Sequence, residues 1–179
     1  MTADDSTLPT PVIADEHIQL VDARNRPCGS APRALMRRFH FWHRATYIVV
    51  RNSRGEICVQ RRTLIKEVFP GGDDLAAGGV VGAGEAVHLA ARRELAEELG
   101  IRGQPLRACG GFRYSEGGNH IYGSVYLVDY DGLLCLQPEE VDSVRWMPLR
   151  EALALDTATP DTRCALGMLY AGGWLEEAA

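Results

Sequence analysis

The sequence predicts an α/β layered domain, because strand-like segments fill the middle of the chain and helical segments stand on both sides of them. The chain has 179 residues, enough for one domain with a proper core. Its 46% apolar and 24% charged content is ordinary for a globular protein. We expect a single domain over residues 12–179 after a disordered tail over residues 1–11, which carries acids and prolines.

Each element is predicted from a local pattern. Apolar and β-branched runs bounded by Gly, Pro or Asn predict strands at residues 17–22, 45–51, 56–61, 74–77, 106–114, 120–130, 133–136 and 141–146. Helical composition predicts helices at residues 31–39, 149–155 and 159–171. The connections are predicted as a turn at residues 23–29, a hairpin turn at NSRG and a loop at residues 63–72.

The longest predicted helix begins at Glu85 or Ala86, runs to Leu99 and ends at Gly100, since glycine is the usual residue just past a helix C-terminus. Strong helix formers dominate it, and neither Pro nor Gly interrupts it. We expect its apolar side to consist of Leu89, Ala91, Leu95, Ala96 and Leu99.

Three carboxylates are clustered on this helix. Glu94, Glu97 and Glu98 stand at i, i+3 and i+4, so they project from one face and repel one another. A cation relieves that repulsion, and hard oxygen ligands favour Mg²⁺ or Mn²⁺. A solvated glutamate-rich surface is the alternative. However, a glycine-containing loop from Gly79 leads into the helix, and such loops allow close approach of backbone to a ligand. Together these features predict a metal-assisted phosphate site.

The segment from Gly79 to Ile101 resembles the signature of the Nudix hydrolases, G-x5-E-x7-R-E-U-x-E-E-x-G-U, where U is a bulky aliphatic residue. All nine defined positions are filled across 23 residues, with no altered spacing. A match of this length is far more specific than a short glycine motif. The resemblance implies the Nudix fold, a mixed β-sheet sandwiched between α-helices, and hydrolysis of a diphosphate linkage by attack of water at phosphorus.

The same resemblance implies roles for individual residues. Glu94, Glu97 and Glu98 would hold the metal, joined by the Gly79 carbonyl, and Arg93 would orient these acids. Two further positions of the signature, Glu85 and Gly100, would be structural, with Glu85 pairing with Arg93. The general base stays open between Glu94 in the helix and three loop candidates: Glu116, Glu139 and Glu140.

Candidates for substrate binding lie outside the signature. Arg61 and Arg62 end a predicted strand, where they could clamp phosphate or form an exposed hairpin end. Lys66 carries the same two interpretations. The histidines His40 and His43 invite a metal interpretation, but buried or hydrogen-bonded histidines are commoner.

A second resemblance, over residues 18–147, is to the isopentenyl-diphosphate isomerase branch of Nudix proteins. It is carried by HRATYIVVRNSRGEICVQRR, by FPG and by VDARNRPCG. Those isomerases need a catalytic cysteine and, two residues later, a metal-binding histidine, but Gly78 and Val80 stand at these positions. Glycine cannot replace a proton-shuttling thiol. We therefore predict an isomerase-like Nudix hydrolase, with an isomerase and a catalytically silent Nudix-fold binding module as alternatives.

Charge and composition limit the partners. A net charge of −5 argues against binding to a nucleic-acid polymer or an anionic membrane, but a bound divalent ion would allow a small diphosphate substrate. Five widely spread cysteines without C-x-x-C pairing indicate reduced thiols. We find no pattern typical of a signal peptide or a membrane span, so a cytoplasmic protein is expected, either a monomer or a homodimer.

Overall fold

The computed structural model describes residues 16–176, and the expected tail over residues 1–11 lies outside them. Its centre is a mixed β-sheet. The strands are β1 (His17–Val21), β2 (Pro27–Pro32), β3 (His43–Arg51), β4 (Ile57–Arg62), β5 (Asp73–Asp74), β6 (Arg107–Glu116), β7 (Asn119–Asp129) and β8 (Val141–Met147).

Strand β3 gives the sheet its mixed character. It runs parallel to β7 along its whole length and antiparallel to β1 and β4. Strand β6 pairs with β7, while β5 and β8 pair with β4, all antiparallel. The two strands β3 and β4 meet only at Arg51 and Ile57, since residues 77–80 take the place beside β3 through bridges to Ala45 and Ile48.

Helices cover both faces of this sheet. They are α1 (Arg33–Arg38), α2 (Val87–Leu99), α3 (Leu149–Leu153) and α4 (Pro160–Ala171). Helix α2 packs over Ile48 and Val50, whereas α3 and α4 pack over Tyr47 and Val49 on the other face. The predicted fold class, a mixed sheet between helices, is confirmed. In the described part of the chain no helix has the length and apolar character needed to cross a membrane.

Helix α2 ends where the sequence predicts. Gly100 follows Leu99 with φ +71°, and a Cβ at Gly100 would lie 2.7 Å from the Cys135 Cβ. The prediction of its apolar side is partly wrong, because Leu89 is 52% exposed and Glu98 is buried in its place. The helix presents the 90/91/95/98/99 stripe to the sheet, which leaves Leu89 on the solvent side.

Two predicted elements are wrong near the N-terminus of the domain. The predicted turn at residues 23–29 is longer than the observed turn, because strand β2 begins at Pro27. The helix predicted from residue 31 begins at Arg33, since Ala31 and Pro32 still pair with β1. Proline accepts this edge position, where its missing N–H costs no ladder hydrogen bond.

The strand predicted at residues 133–136 is absent from the described structure. This segment instead closes the C-terminal end of α2: Cys135 N donates to Leu99 O at 3.0 Å, and Gln137 N donates to Glu98 O at 3.2 Å. The free carbonyls at a helix end compete successfully for these donors. Similarly, the strand predicted at residues 74–77 shrinks to β5, and its later residues make isolated bridges.

Candidate active site

A cavity of about 600 Å³ opens beside the middle of α2 and the glycine loop that precedes this helix. One wall is formed by the loop at Gly78 and Gly79 together with Glu94 and Glu97 of α2. We call this the α2 wall, and we include in it Arg93, which also lines the cavity, and Glu85 and Glu98, which do not. The rest of the lining, called the opposite wall, comes from α1, from Tyr47 of β3, from the end of β4 and the segment after it, from β5, from the tip of the β6–β7 hairpin and from the start of α4.

The glycine loop is held tightly against the centre of the sheet. Gly78 has φ +145°, and a Cβ there would lie 1.9 Å from the backbone oxygen of Thr46. Next to it, Thr46 N donates to Gly79 O at 2.9 Å. This close contact requires glycine at residue 78 and fixes Gly79 at the edge of the cavity.

Glu98 is the most buried of the three acids, at 8% exposure. Its Oε2 accepts hydrogen bonds from Gly78 N at 3.1 Å and Gln60 Nε2 at 3.3 Å. Burial, with the neighbouring charges of Glu94 and Asp74, raises the pKa of Glu98 to about 8. A carboxyl group in this position gains most from a nearby cation, which would favour its charged form.

Arg93 joins the acids of the α2 wall. Its Nε lies 2.9 Å from Glu85 Oε1, which confirms the predicted ion pair, and its Nη1 lies 2.8 Å from Glu94 and 3.1 Å from Glu97. The hydrogen bond from Arg93 lowers the pKa of Glu85, and the same bond raises the pKa of Arg93. Burial has the larger effect on Glu94, whose pKa is raised. One guanidinium therefore serves three carboxylates.

The donor set of the α2 wall fits a hard divalent cation. Carboxylates of Glu94, Glu97 and Glu98 and the Gly79 carbonyl are all oxygen donors. That carbonyl accepts from Thr46 N at 2.9 Å and from Thr46 Oγ1 at the long distance of 3.5 Å, and a metal would take the place of the longer bond. As the side chains of the described residues stand, no three acidic, histidine or cysteine groups enclose an ion. Arg93 lies between Glu94 and Glu97, so both glutamates would turn from it to bind a metal.

The candidates for general base separate into three groups. Glu94 and Glu116 line the cavity. Glu140 also lines it but forms an ion pair with Lys66. Glu139 is exposed and is not among the lining residues of the described cavity. The structure therefore brings three of the four candidates to the cavity and leaves Glu139 outside it.

The two arginines predicted to bind substrate differ in position. Arg62 lines the cavity, but its Nη1 lies 2.6 Å from Asp74 Oδ2 and its Nη2 donates to Val68 O. Arg61 is not among the lining residues, and its Nη1 donates to Gly71 O at 2.6 Å. Both side chains hold the loop that follows β4.

The two histidines that invited a metal interpretation, His40 and His43, each contact a backbone oxygen rather than each other. His43 Nδ1 lies 3.0 Å from Phe41 O, and His40 Nδ1 lies 2.7 Å from Gly118 O. His43 is 3% exposed, and burial lowers its pKa. The expectation of buried or hydrogen-bonded histidines is confirmed.

A family model described as NUDIX domain matches residues 41–166, which contain the whole α2 wall. The chain belongs to the Nudix family. By this membership it is a Nudix hydrolase, and such enzymes are pyrophosphohydrolases.

Curated relatives and solved structures agree with this assignment. The chain is 49% identical over 143 residues to an uncharacterised Nudix hydrolase of Pseudomonas aeruginosa, covering 80% of this chain and 83% of the relative. It is 42% identical over 159 residues to an uncharacterised Nudix hydrolase of Yersinia pestis, covering 88% and 87% respectively. A crystal structure from Deinococcus radiodurans has a TM-score of 0.77 at 26% identity, covering 87% of this chain and 99% of that one.

This Nudix hydrolase carries cavity residues that sequence reasoning missed. They come from both sides of the signature and share only their position on the opposite wall: Arg33, Arg37, Tyr47, Asp74 and Asp161. The doublet Arg37-Arg38 lies in a predicted helix, and Asp161 lies in the predicted first turn of another, where acids are common for helix stability alone. No spacing in the sequence links these segments.

Proposed function

We propose that this Nudix hydrolase cleaves the diphosphate linkage of a phosphorylated small molecule with Mg²⁺ or Mn²⁺ bound at the α2 wall. One observation carries the proposal: Glu94 and Glu97 of α2 line a cavity whose opposite wall supplies cations. These cations are Arg33, Arg37, Arg62 and Lys66. Oxygen ligands for a metal on one side and guanidinium or ammonium groups on the other suit a substrate with several phosphate charges.

Arg37 is the cation most in need of an anionic partner. Its Nε is buried without a hydrogen-bond acceptor among the described residues, and its nearest carboxylate, Glu67, lies 3.5 Å from Nη1 and is 78% exposed. Burial and the charge of Arg33 lower the pKa of Arg37. A phosphate in the cavity would offset the charge of the Arg37 guanidinium, which Glu67 does only weakly.

The chemistry follows from these positions. A bound cation would offset phosphate charge and lower the pKa of its bound water. Glu94, Glu97, Glu98 and the Gly79 carbonyl would hold it, and Arg93 would keep Glu85 and the start of α2 in place. A carboxylate that lines the cavity would take the proton from the attacking water. We keep Glu94, Glu116 and Glu140 as the candidates, because all three line the cavity, whereas Glu139 does not.

The cysteines disfavour the isomerase alternative. All five cysteines lie within the described residues, and none of them lines the cavity. At residue 78, where the isomerase resemblance needs a thiol, a side chain would collide with Thr46 O. Proton transfer by a thiol therefore has no residue to perform it here. Membership of the isomerase-like branch stays a prediction, as do the cytoplasmic location and the oligomeric state.

Phosphate release tests the proposal. The panel contains nucleoside diphosphate derivatives, dinucleoside polyphosphates and prenyl diphosphates, each with Mg²⁺ or Mn²⁺ at near-neutral and alkaline pH. We expect metal-dependent hydrolysis of at least one compound and a loss of at least about a hundredfold in kcat for Glu98→Gln. Glu151→Gln, an exposed change on α3, is the matched control and keeps activity.

Two outcomes would contradict the proposal. Activity that does not depend on a divalent ion, or that survives Glu98→Gln unchanged, would remove the metal site on α2. An inactive wild type that nevertheless binds one of the compounds tightly would favour the silent binding module.

A further inference from the structure

One end of the cavity carries two carboxylates. Asp161, at the start of α4, and Glu116, at the end of β6, both line it. They stand on neighbouring elements, since α4 packs against β6, and their charges, after burial, raise the pKa values of both Tyr114 and Cys164. Diphosphate would be repelled from this end and drawn to Arg33, Arg37 and the other cations of the opposite wall.

Tyr47 holds the Asp161 carboxylate in position. Its hydroxyl donates to Asp161 Oδ2 at 2.9 Å, and the Tyr47 side chain is 5% exposed in the centre of the sheet. Because Tyr47 is anchored in the core, it orients Asp161 without depending on solvent. A carboxylate can accept several hydrogen bonds, and the bond from Tyr47 uses one of these positions. The Asp161 carboxylate therefore keeps acceptor capacity for a ligand.

The surroundings of Asp161 contain further polar groups beside the buried rings of Tyr47 and Tyr114. Thr159, Thr162 and Asp74 line the same part of the cavity. Thr159 Oγ1 donates to Asp74 Oδ1 at 2.6 Å, so its hydrogen is already committed. An alkyl chain placed here would exclude water from the Asp161 carboxylate and offer it no donor in addition to Tyr47, which is unfavourable.

We propose that Asp161, positioned by Tyr47, is a specificity-determining residue that accepts hydrogen bonds from hydroxyl or amino groups on the moiety attached to the diphosphate. The proposal rests on the proposed function, because it takes the cavity as the place where the diphosphate ester binds. Asp161 thereby selects donor-rich substrates, such as sugar or nucleoside diphosphates, over prenyl diphosphates. A site built to bond a donor rejects the analogue that lacks it more strongly than an apolar pocket rejects an extra methylene.

Two pairs of substrates test this selection. The hydroxyl pair is ribose 5-diphosphate and isopentenyl diphosphate, which share a five-carbon moiety. The amino pair is adenosine diphosphate and the diphosphate of purine riboside, which differ in one exocyclic amino group. The measured quantity is the ratio of kcat/KM within each pair, and the pair whose ratio responds to Asp161 identifies the donor.

The variant Asp161→Asn keeps the shape of the side chain and replaces an acceptor with a donor. We expect it to reduce the kcat/KM ratio of the pair that depends on Asp161 about tenfold to a hundredfold, which is the effect of losing a hydrogen bond to a charged group. The change should come from a lower kcat/KM for the substrate that carries the donor, with the other member of the pair unaffected. Tyr47→Phe should shift the same ratio in the same direction by less. The matched control is Asp156→Asn, an exposed change outside the cavity, which should leave both ratios unchanged.

Calorimetry separates the failure of this proposal from failure of the proposed function. It uses the non-hydrolysable methylene analogues of the same pairs. If the wild type binds the donor-bearing analogue more tightly and Asp161→Asn abolishes this preference, the proposal is supported even where no hydrolysis is detected. In that case only the hydrolase assignment fails. Ratios that Asp161→Asn leaves unchanged, or equal losses for both members of each pair, would overturn the role of Asp161 while leaving the hydrolase assignment intact.

Discussion

The two walls of the cavity differ in how their charge is assembled. The α2 wall takes its charged side chains from 14 consecutive residues, Glu85–Glu98, and shares one guanidinium, Arg93, among three carboxylates. The opposite wall gathers Arg37, Asp74 and Asp161 from segments far apart in the chain. A local spacing can encode the first wall, whereas only the folded sheet brings the second together. The proposed reaction chemistry therefore depends on a local sequence pattern, whereas the proposed substrate choice depends on residues that only the fold brings together.

The glycine loop is where the α2 wall is most vulnerable. Gly78→Ala would place a Cβ 1.9 Å from Thr46 O at φ +145°. We expect a loss of more than about 3 kcal/mol in the free energy of unfolding, since both strain and collision act on backbone. Gly84→Ala is the control: its φ is +76° but nothing lies within 4 Å, so about 1 kcal/mol is expected. Chemical denaturation measures both, and equal effects would contradict the contact.

Arg62 tests whether the opposite wall is held by ion pairs. Its side chain is 18% exposed and its Nη1 lies 2.6 Å from Asp74, which is 14% exposed. Arg62→Met would leave Asp74 without its cation and should destabilise the fold by about 3 kcal/mol, whereas Asp74→Asn in the same chain should restore part of the loss. Arg61→Met should cost about 1 kcal/mol or less, because Arg61 is 39% exposed and its buried partner Asp73 keeps a second cation, Arg145, at 2.8 Å. An Arg62 variant of full stability with weaker substrate binding would assign Arg62 to substrate alone.

Arg37 separates binding from chemistry. Because its guanidinium lines the cavity and would pair with a phosphate there, Arg37→Ala should raise KM about tenfold to a hundredfold with a small change in kcat. Steady-state kinetics on the best substrate of the panel checks this. The neighbouring exposed Arg38→Ala is the control and should change neither constant. A fall in kcat at unchanged KM would place Arg37 in the chemical step.

His43 gives the smallest expected effect. Burial lowers its pKa in the folded protein, while the unfolded chain titrates near the ordinary value of about 6.5. The unfolded state therefore binds the proton first, so this contribution to stability is present above pH 6.5 and is lost as the pH falls toward the folded pKa. The slope is at most about 1.4 kcal/mol per pH unit, that of one proton.

A matched pair of histidine variants tests this dependence. His43→Gln should flatten the fall in melting temperature between pH 7 and pH 5, and His88→Gln, on the exposed side of α2, should not. If both variants keep the wild-type slope, the buried neutral histidine contributes nothing to acid sensitivity.

The wall comparison also explains which predictions from the sequence succeed. The end of α2 at Leu99, the Gly100 cap and the Arg93–Glu85 pair depend on residues within two or three turns of one another, and all three are confirmed, whereas the helix begins at Val87 and not at Glu85 or Ala86. The prediction that Leu89 faces the core is wrong, because it rests on the apolar side chain of leucine and not on the angle of residue 89 around the helix.

The remaining errors come from competition between distant segments. Residues 133–136 bond to the end of α2 instead of to a strand, and Pro32 stays paired with β1 instead of entering α1. Arg61 ends the predicted strand, yet nothing local shows that its side chain turns to Gly71 O and away from the cavity. The position proposed for Asp161 could not be predicted for the same reason, because Asp161 meets Tyr47 across 114 positions of sequence.

The most direct test of the account is a crystal soaked in Mn²⁺ and measured for anomalous scattering. The account predicts one or more peaks at the α2 wall, with oxygens of Glu94, Glu97 or Glu98 at about 2.2 Å, near the distance typical of small hard cations. Arg93 should then release Glu94 and Glu97 while keeping Glu85. Anomalous density only elsewhere, with Arg93 still bonded to Glu94 and Glu97, would contradict the claim that this turn of helix seats the metal.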